Sequence, residues 1–63
     1  MPSAAFLSAL NLVRNATAEQ LRVLQNPRDL ELALHGIGIS TTDLDLDELA
    51  VLKEEINLGA RLV

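Results

Sequence analysis

The sequence predicts an all-α domain: a compact bundle of three to four short helices, packed in an oligomer. Three observations carry this expectation. Apolar residues recur at three- and four-residue spacing along most of the chain, which places them on one face of a helix. Cap-forming and helix-ending residues at Ser3, Thr17, Asn26-Pro27, Gly36/Gly38 and Gly59 cut that pattern into short segments. The one alternating stretch, Leu44-Asp45-Leu46-Asp47, puts aspartates where a strand disfavours them.

The first segment covers residues 4–15. Ser3 is a good N-cap ahead of Ala4 and Ala5. Phe6, Leu10 and Val13 share one helical face, and Leu7, Ala9 and Leu12 widen it to more than half the circumference. A helix this apolar is expected to lie between neighbours or within a dimer.

The second segment covers residues 18–25. Thr17, with Gln20 three residues on, is a capping-box signal. Leu21 and Leu24 form a narrow stripe with Val23 at its flank, and Asn26 before a proline ends the helix. The third segment covers residues 27–35, with Asn26 as cap and Pro27 in the first position, where a missing N–H costs nothing. Leu30, Ala33 and Leu34 make its buried stripe, and Gly36 is the expected left-handed terminator. Ile37 and Ile39 are expected to plug the core as the chain reverses.

The fourth segment covers residues 43–58. Asp43, Asp45, Asp47 and Glu48 crowd its start, where the helix dipole favours negative charge. Leu46, Leu49, Leu52 and Ile56 form its buried stripe, Val51 and Leu58 extend it sideways, and Gly59 is the expected stop. The residues after it, 60–63, are expected to be a frayed tail.

Composition narrows the function. Sixty-three residues make one domain, residues 1–63, and leave little interior. The chain is 49% hydrophobic, with one Phe and no Trp, Tyr or Cys. Disulfides and thiolate metal sites are therefore excluded as staples, and no set of aromatics is available to stack nucleobases. A formal net charge of −4 disfavours polyanion binding. The uncharged residues 1–13 are too short to span a bilayer and lack the pattern of a secretory signal. The expected compartment is the cytoplasm, with no membrane contact. Surplus apolar surface without a staple points to association with another chain.

The residues that could carry chemistry form no convincing set. His35 is the only histidine, and Ser40 is near it in sequence, but nothing completes a triad. Asp43, Asp45, Asp47 and Glu54 match four acidic positions of a calcium loop. Glu48 stands where that loop requires glycine, and Leu49 to Lys53 reads as continuous helix. No catalytic residue, metal ligand or cofactor is expected. Arg14, Arg22, Arg28, Lys53 and Arg61 are scattered. A small dimeric helix-turn-helix DNA-binding regulator would have to gather Arg14, Arg22 and Arg28 by pairing two copies.

The run Asn26-Pro27-Arg28-Asp29-Leu30, then Ala33, Gly36-Ile37, a capping Ser/Thr and Asp47-Glu48-Leu49 resembles a known class of helical domain. These are the leader domains of precursors of ribosomally synthesised, modified peptides, including the nitrogen-fixation-type and nitrile-hydratase-like leaders. The likeness covers residues 24–49. A similar phrase occurs in the small helical subunit of protocatechuate-type extradiol dioxygenases. Only Arg61-Leu62-Val63 follows Gly59-Ala60, and there is no Cys. The resemblance therefore implies a stand-alone recognition domain docking on a peptide-modifying enzyme through helix faces.

The expectation is a small, acidic, non-catalytic protein–protein interaction module, acting as a homo-oligomer or as the helical partner of a larger protein. Its interaction residues are Phe6, Leu7, Leu10 and Val13 on the first helix and Val51, Leu58 and Leu62 around the fourth. Phe6, an aromatic among aliphatics, is the expected anchor.

Overall fold

Caps written into the sequence define each helix start in the computed structural model, which describes residues 3–62. The first helix, α1 (Ala4–Asn15), starts at Ser3, whose side-chain oxygen accepts from the Phe6 N–H at 3.1 Å. Thr17 starts α2 (Ala18–Leu24) with a reciprocal box. Its hydroxyl accepts from the Gln20 N–H at 3.1 Å, and the Gln20 side-chain oxygen accepts from the Thr17 N–H at 2.9 Å. Asn26 starts α3 (Pro27–Gly36) by accepting from the Arg28 N–H at 3.0 Å.

The end of α3 differs from expectation. Gly36 remains helical, and the left-handed residue is Gly38, with φ +80°. The Ile39 N–H donates to the Leu34 carbonyl at 2.9 Å and the Gly38 N–H to that of His35 at 3.0 Å. This pair of bonds is the Schellman closure, and it brings the residue after the glycine back over the last turn. Ile39 and Leu34 are accordingly both buried. Ile37 precedes the left-handed step and stays exposed instead of plugging the core.

The start of the last helix is also corrected. Ser40 and Asp43 form their own capping box around a 3₁₀ turn, Thr41–Asp43. Leu44 is extended, and Asp45 then caps α4 (Leu46–Ala60) in a second box with Glu48. Residues 43–45 thus end the 3₁₀ turn and lead into α4, and are not part of that α-helix. Leu44 is buried and Leu49 packs against the core, the two positions of a hydrophobic staple. Leu44 therefore takes the inner position expected of Leu46, which is left 85% exposed at the helix start.

The end of α4 runs past the expected stop. Gly59 is helical and Ala60 is buried. A Cβ on Gly59 would collide with the end of the Leu21 side chain, so the missing side chain lets α2 approach. The Arg22 guanidinium Nε donates to the Ala60 carbonyl at 3.3 Å, meeting one of the free acceptors of the helix end. Val63, at the end of the expected tail, lies outside the described residues.

No strand occurs among the described residues. Helix α4 packs on both α1 and α2, and α3 packs on α2. The core collects Ala9 and Val13, Leu21, Leu30 and Leu34, Ile39, Leu44, Leu52, Ile56 and Ala60. The radius of gyration is 10.6 Å. A folded chain of this length is expected near about 11 Å, so the helices form one body.

Candidate functional site

Helices α1 and α4 lie side by side and run the same way. At one end Ser3 contacts Glu48. At the other, Val13 and Arg14 line one groove with Glu55, Leu58 and Leu62. The step from Ser3 to Val13 matches the step from Glu48 to Leu58, so the helices stay in register along this seam.

Parallel neighbours bring two positive dipole ends together. Glu48 sits at that junction, half-buried. One carboxylate oxygen accepts from both the N–H and the hydroxyl of Ser3, each at 2.9 Å, and the other accepts from the Asp45 N–H at 3.2 Å. The Ser3 amide, then the Asp45 amide, holds the Glu48 carboxyl below its ordinary pKa, against an opposing effect of burial.

The seam carries an apolar strip on its outer side. Along α4, Asp47, Val51, Glu54, Leu58 and the following Leu62 recur at three- and four-residue intervals, and all are exposed. Along α1, Leu7, Leu10 and Arg14 follow the same rule. Leu7 is 53% exposed, Val51 48%, Leu58 51% and Leu62 71%. Leu10 is half-buried at the rim. The two groups of residues expected to make contacts are thus brought together along one pair of helices. Val13 and Phe6 belong beneath them: Val13 is in the core and Phe6 is half-buried against it.

Carboxylates crowd one end of this seam, and both signs mix towards the other, where Glu55 lies in the groove with Arg14 and Glu54 in a depression with Arg61. Asp43, Asp45, Asp47 and Glu48 gather at the start of α4. Arg14, in the last turn of α1, Arg22, bonded to Ala60, and Arg61, the C-cap of α4, gather at the far end. Glu55 is the carboxylate that shares the groove with Arg14. Arg28 stands apart, at the start of α3.

No protein-family model matches the chain, and no curated protein or solved structure is significantly similar to it.

Ser40, Asp43 and Asp45 have their side-chain oxygens engaged in caps and turns. Ser40, His35 and Glu31 border one shallow depression, but the Ser40 hydroxyl bonds to that of Thr42 at 2.9 Å. Asp43 and Asp45 cap helices, and Glu54 lies two turns along α4. Among the described residues no three His, Cys, Asp or Glu side chains are grouped to hold a metal ion, and no helix is long and apolar enough to cross a membrane.

Sequence reasoning missed a second apolar surface. Leu12, Ala16, Val23, Leu24 and Ala33 line a groove between α1, α2 and α3, with Gln20 and Asp29 at its edge. The available signal was Val23, which flanks the Leu21/Leu24 stripe and finds no place inside.

Proposed function

We propose that this chain is a non-catalytic protein–protein interaction module whose contact surface is the α1–α4 seam, working as a homo-oligomer or as the helical partner of a larger protein. The observation that supports it most is the alignment of Leu7, Val51, Leu58 and Leu62, all exposed, along two helices held in register. Scattered exposed leucines are ordinary, whereas apolar side chains aligned along one face, here with Glu54 among them, mark a contact surface. A peptide-modifying enzyme, the partner implied by the leader-like phrase, is one form this reading takes.

The test is photo-crosslinking from a benzoylphenylalanine placed at Leu58, with Glu31 on α3 as the control position. A protein adduct formed at Leu58 and weakened by Val51→Asp supports the reading. The absence of any adduct from Leu58, Leu7 and Val51 in turn overturns it.

A further inference from the structure

We propose that the groove between α1, α2 and α3 is a docking surface for a basic amphipathic helix of a partner protein, with one Lys or Arg of that helix set against Asp29. The groove lies apart from the α1–α4 seam and does not depend on it. On α1 the buried residues Ala9 and Val13 separate the two surfaces. At 3.6 residues per turn Leu7 and Leu10 fall on one flank of that stripe, and Leu12 and Ala16 fall on the other.

Each helix gives the groove one short stripe. Leu12 and Ala16 are four apart on α1, Val23 and Leu24 are neighbours on α2, and Asp29 and Ala33 are four apart on α3. Val23 is exposed and the others are half-buried. Asp29 is the one charged residue in this lining.

The turn between α2 and α3 leaves the Asp29 carboxylate free. Asp29 is the third residue of its helix. Elsewhere in the chain the residue at that position closes a box: the side chains of Gln20, Asp43 and Glu48 each accept from the N–H of their own cap. At α3 the cap N–H is already taken. Only Gln25 and Asn26 separate α2 from α3, and the Asn26 N–H donates to the Val23 carbonyl at 3.1 Å. No box forms, and among the described residues no donor bonds to the Asp29 carboxylate. An acceptor-only group is thereby held at the edge of an apolar groove.

Shape and charge together select the occupant. The groove, of about 370 Å³, is open to solvent. A small molecule takes a site that encloses most of its surface, whereas a helix docked by one face keeps its other face in water. The lone charge of the lining is negative, and the chain carries a formal net charge of −4. A cationic partner is therefore steered towards the chain at long range and paired at contact.

The test is a nuclear magnetic resonance titration of the full, isotope-labelled chain with a helical peptide of about 14 residues. The peptide is made of Leu, Ala and Lys, with Leu along one face and a single Lys within that face. A second peptide carries Glu in place of that Lys. The expected result is movement of the Leu12, Ala16, Val23 and Ala33 amide signals, with tighter binding of the Lys peptide than of the Glu peptide. Asp29→Asn should weaken the Lys peptide about fivefold, the upper range for an ion pair near a surface, and remove its advantage over the Glu peptide. Val23→Gln should weaken both peptides. Glu54→Gln, the same loss of charge placed on the seam, should leave both affinities unchanged.

Failure of the Lys peptide to bind overturns the proposal. So do signal changes confined to the seam, equal affinity for the two peptides, or an Asp29→Asn chain that binds as the native chain does. Changes at the groove on concentrating the chain alone put a second copy there and overturn it as well. Crosslinking from Leu58 reports on the seam and is indifferent to all of these results, so the two readings fail separately.

Discussion

Glu48 joins the starts of two helices: its carboxylate accepts from the Ser3 amide and hydroxyl at 2.9 Å while it closes the capping box of its own helix with Asp45. The residues are 45 apart in the chain. Two positive helix ends that would repel thus share one anion, and that contact holds α1 parallel to α4.

Acid should loosen this contact. The folded Glu48 carboxyl sits below its ordinary value, so the folded chain binds the proton less readily than the unfolded one. Its contribution is complete above the ordinary glutamate value, about pH 4.3, and is lost as pH falls through the lower folded value. Circular-dichroism melts between about pH 5 and pH 2 should show a steeper loss of Tm for the native chain than for Glu48→Gln. Parallel pH profiles would show that the carboxylate is not coupled to folding.

The two glycines after His35 should respond oppositely to alanine. Gly36 is helical with open space at its Cβ position, and Gly36→Ala should stabilise by about 0.5–1 kcal/mol. Gly38 has φ +80°, and Gly38→Ala should cost roughly 1–2 kcal/mol in left-handed strain. Urea unfolding of both variants checks the sign; a stabilised Gly38→Ala would contradict the turn described.

Gly59 sets the distance between α2 and α4. Alanine there gains helix propensity of about 1 kcal/mol but meets the end of the Leu21 side chain, which can shift. Gly59→Ala should therefore change stability by less than about 1 kcal/mol, whereas Gly59→Val, with less room to adjust, should cost about 1–3 kcal/mol. Equal tolerance of both would mean that Leu21 does not pack over this position.

Leu34 and Leu52 are wholly buried. Truncation to alanine leaves a cavity and should cost about 2–5 kcal/mol. A 63-residue domain has only about 3–9 kcal/mol in total, so either variant should unfold in the first part of a urea titration. Retention of a native midpoint would show that the core repacks around the gap.

Phe6 and Leu58 should separate fold from contact. Phe6 packs against the core, and Phe6→Ala should lower stability by about 1–3 kcal/mol. Leu58 is exposed, and Leu58→Ala should alter the stability of the isolated chain by no more than about 0.5 kcal/mol. Chemical denaturation at low concentration measures this difference without association. A reversed order would exchange the roles of the two residues.

Much of the local structure was legible because its causes are local. Thr17 with Gln20, Asn26 with Pro27, and the apolar periodicity each act over three or four residues. They placed α1, α2 and α3 within a residue or two. Competition among neighbouring caps was harder to read. Ser40 and Asp45 each start a turn of their own, and only the burial of Leu44 between them decides where α4 begins. Gly59 read as a stop because propensity disfavours it, while tertiary contact with Leu21 and Arg22 keeps it helical.

The sequence by itself determined an all-α chain, its punctuation and an excess of aliphatic helix surface over available interior. The tertiary structure decided which residues form that surplus. It sent Val13 inward, left Leu7, Val51, Leu58 and Leu62 outside, and aligned them by making α1 parallel to α4. Periodicity reports how wide an apolar face is; which edge stays in water depends on where neighbouring helices sit. Here that position depends on contacts between distant residues, Ser3 with Glu48 and Gly59 with Leu21, which no local pattern encodes.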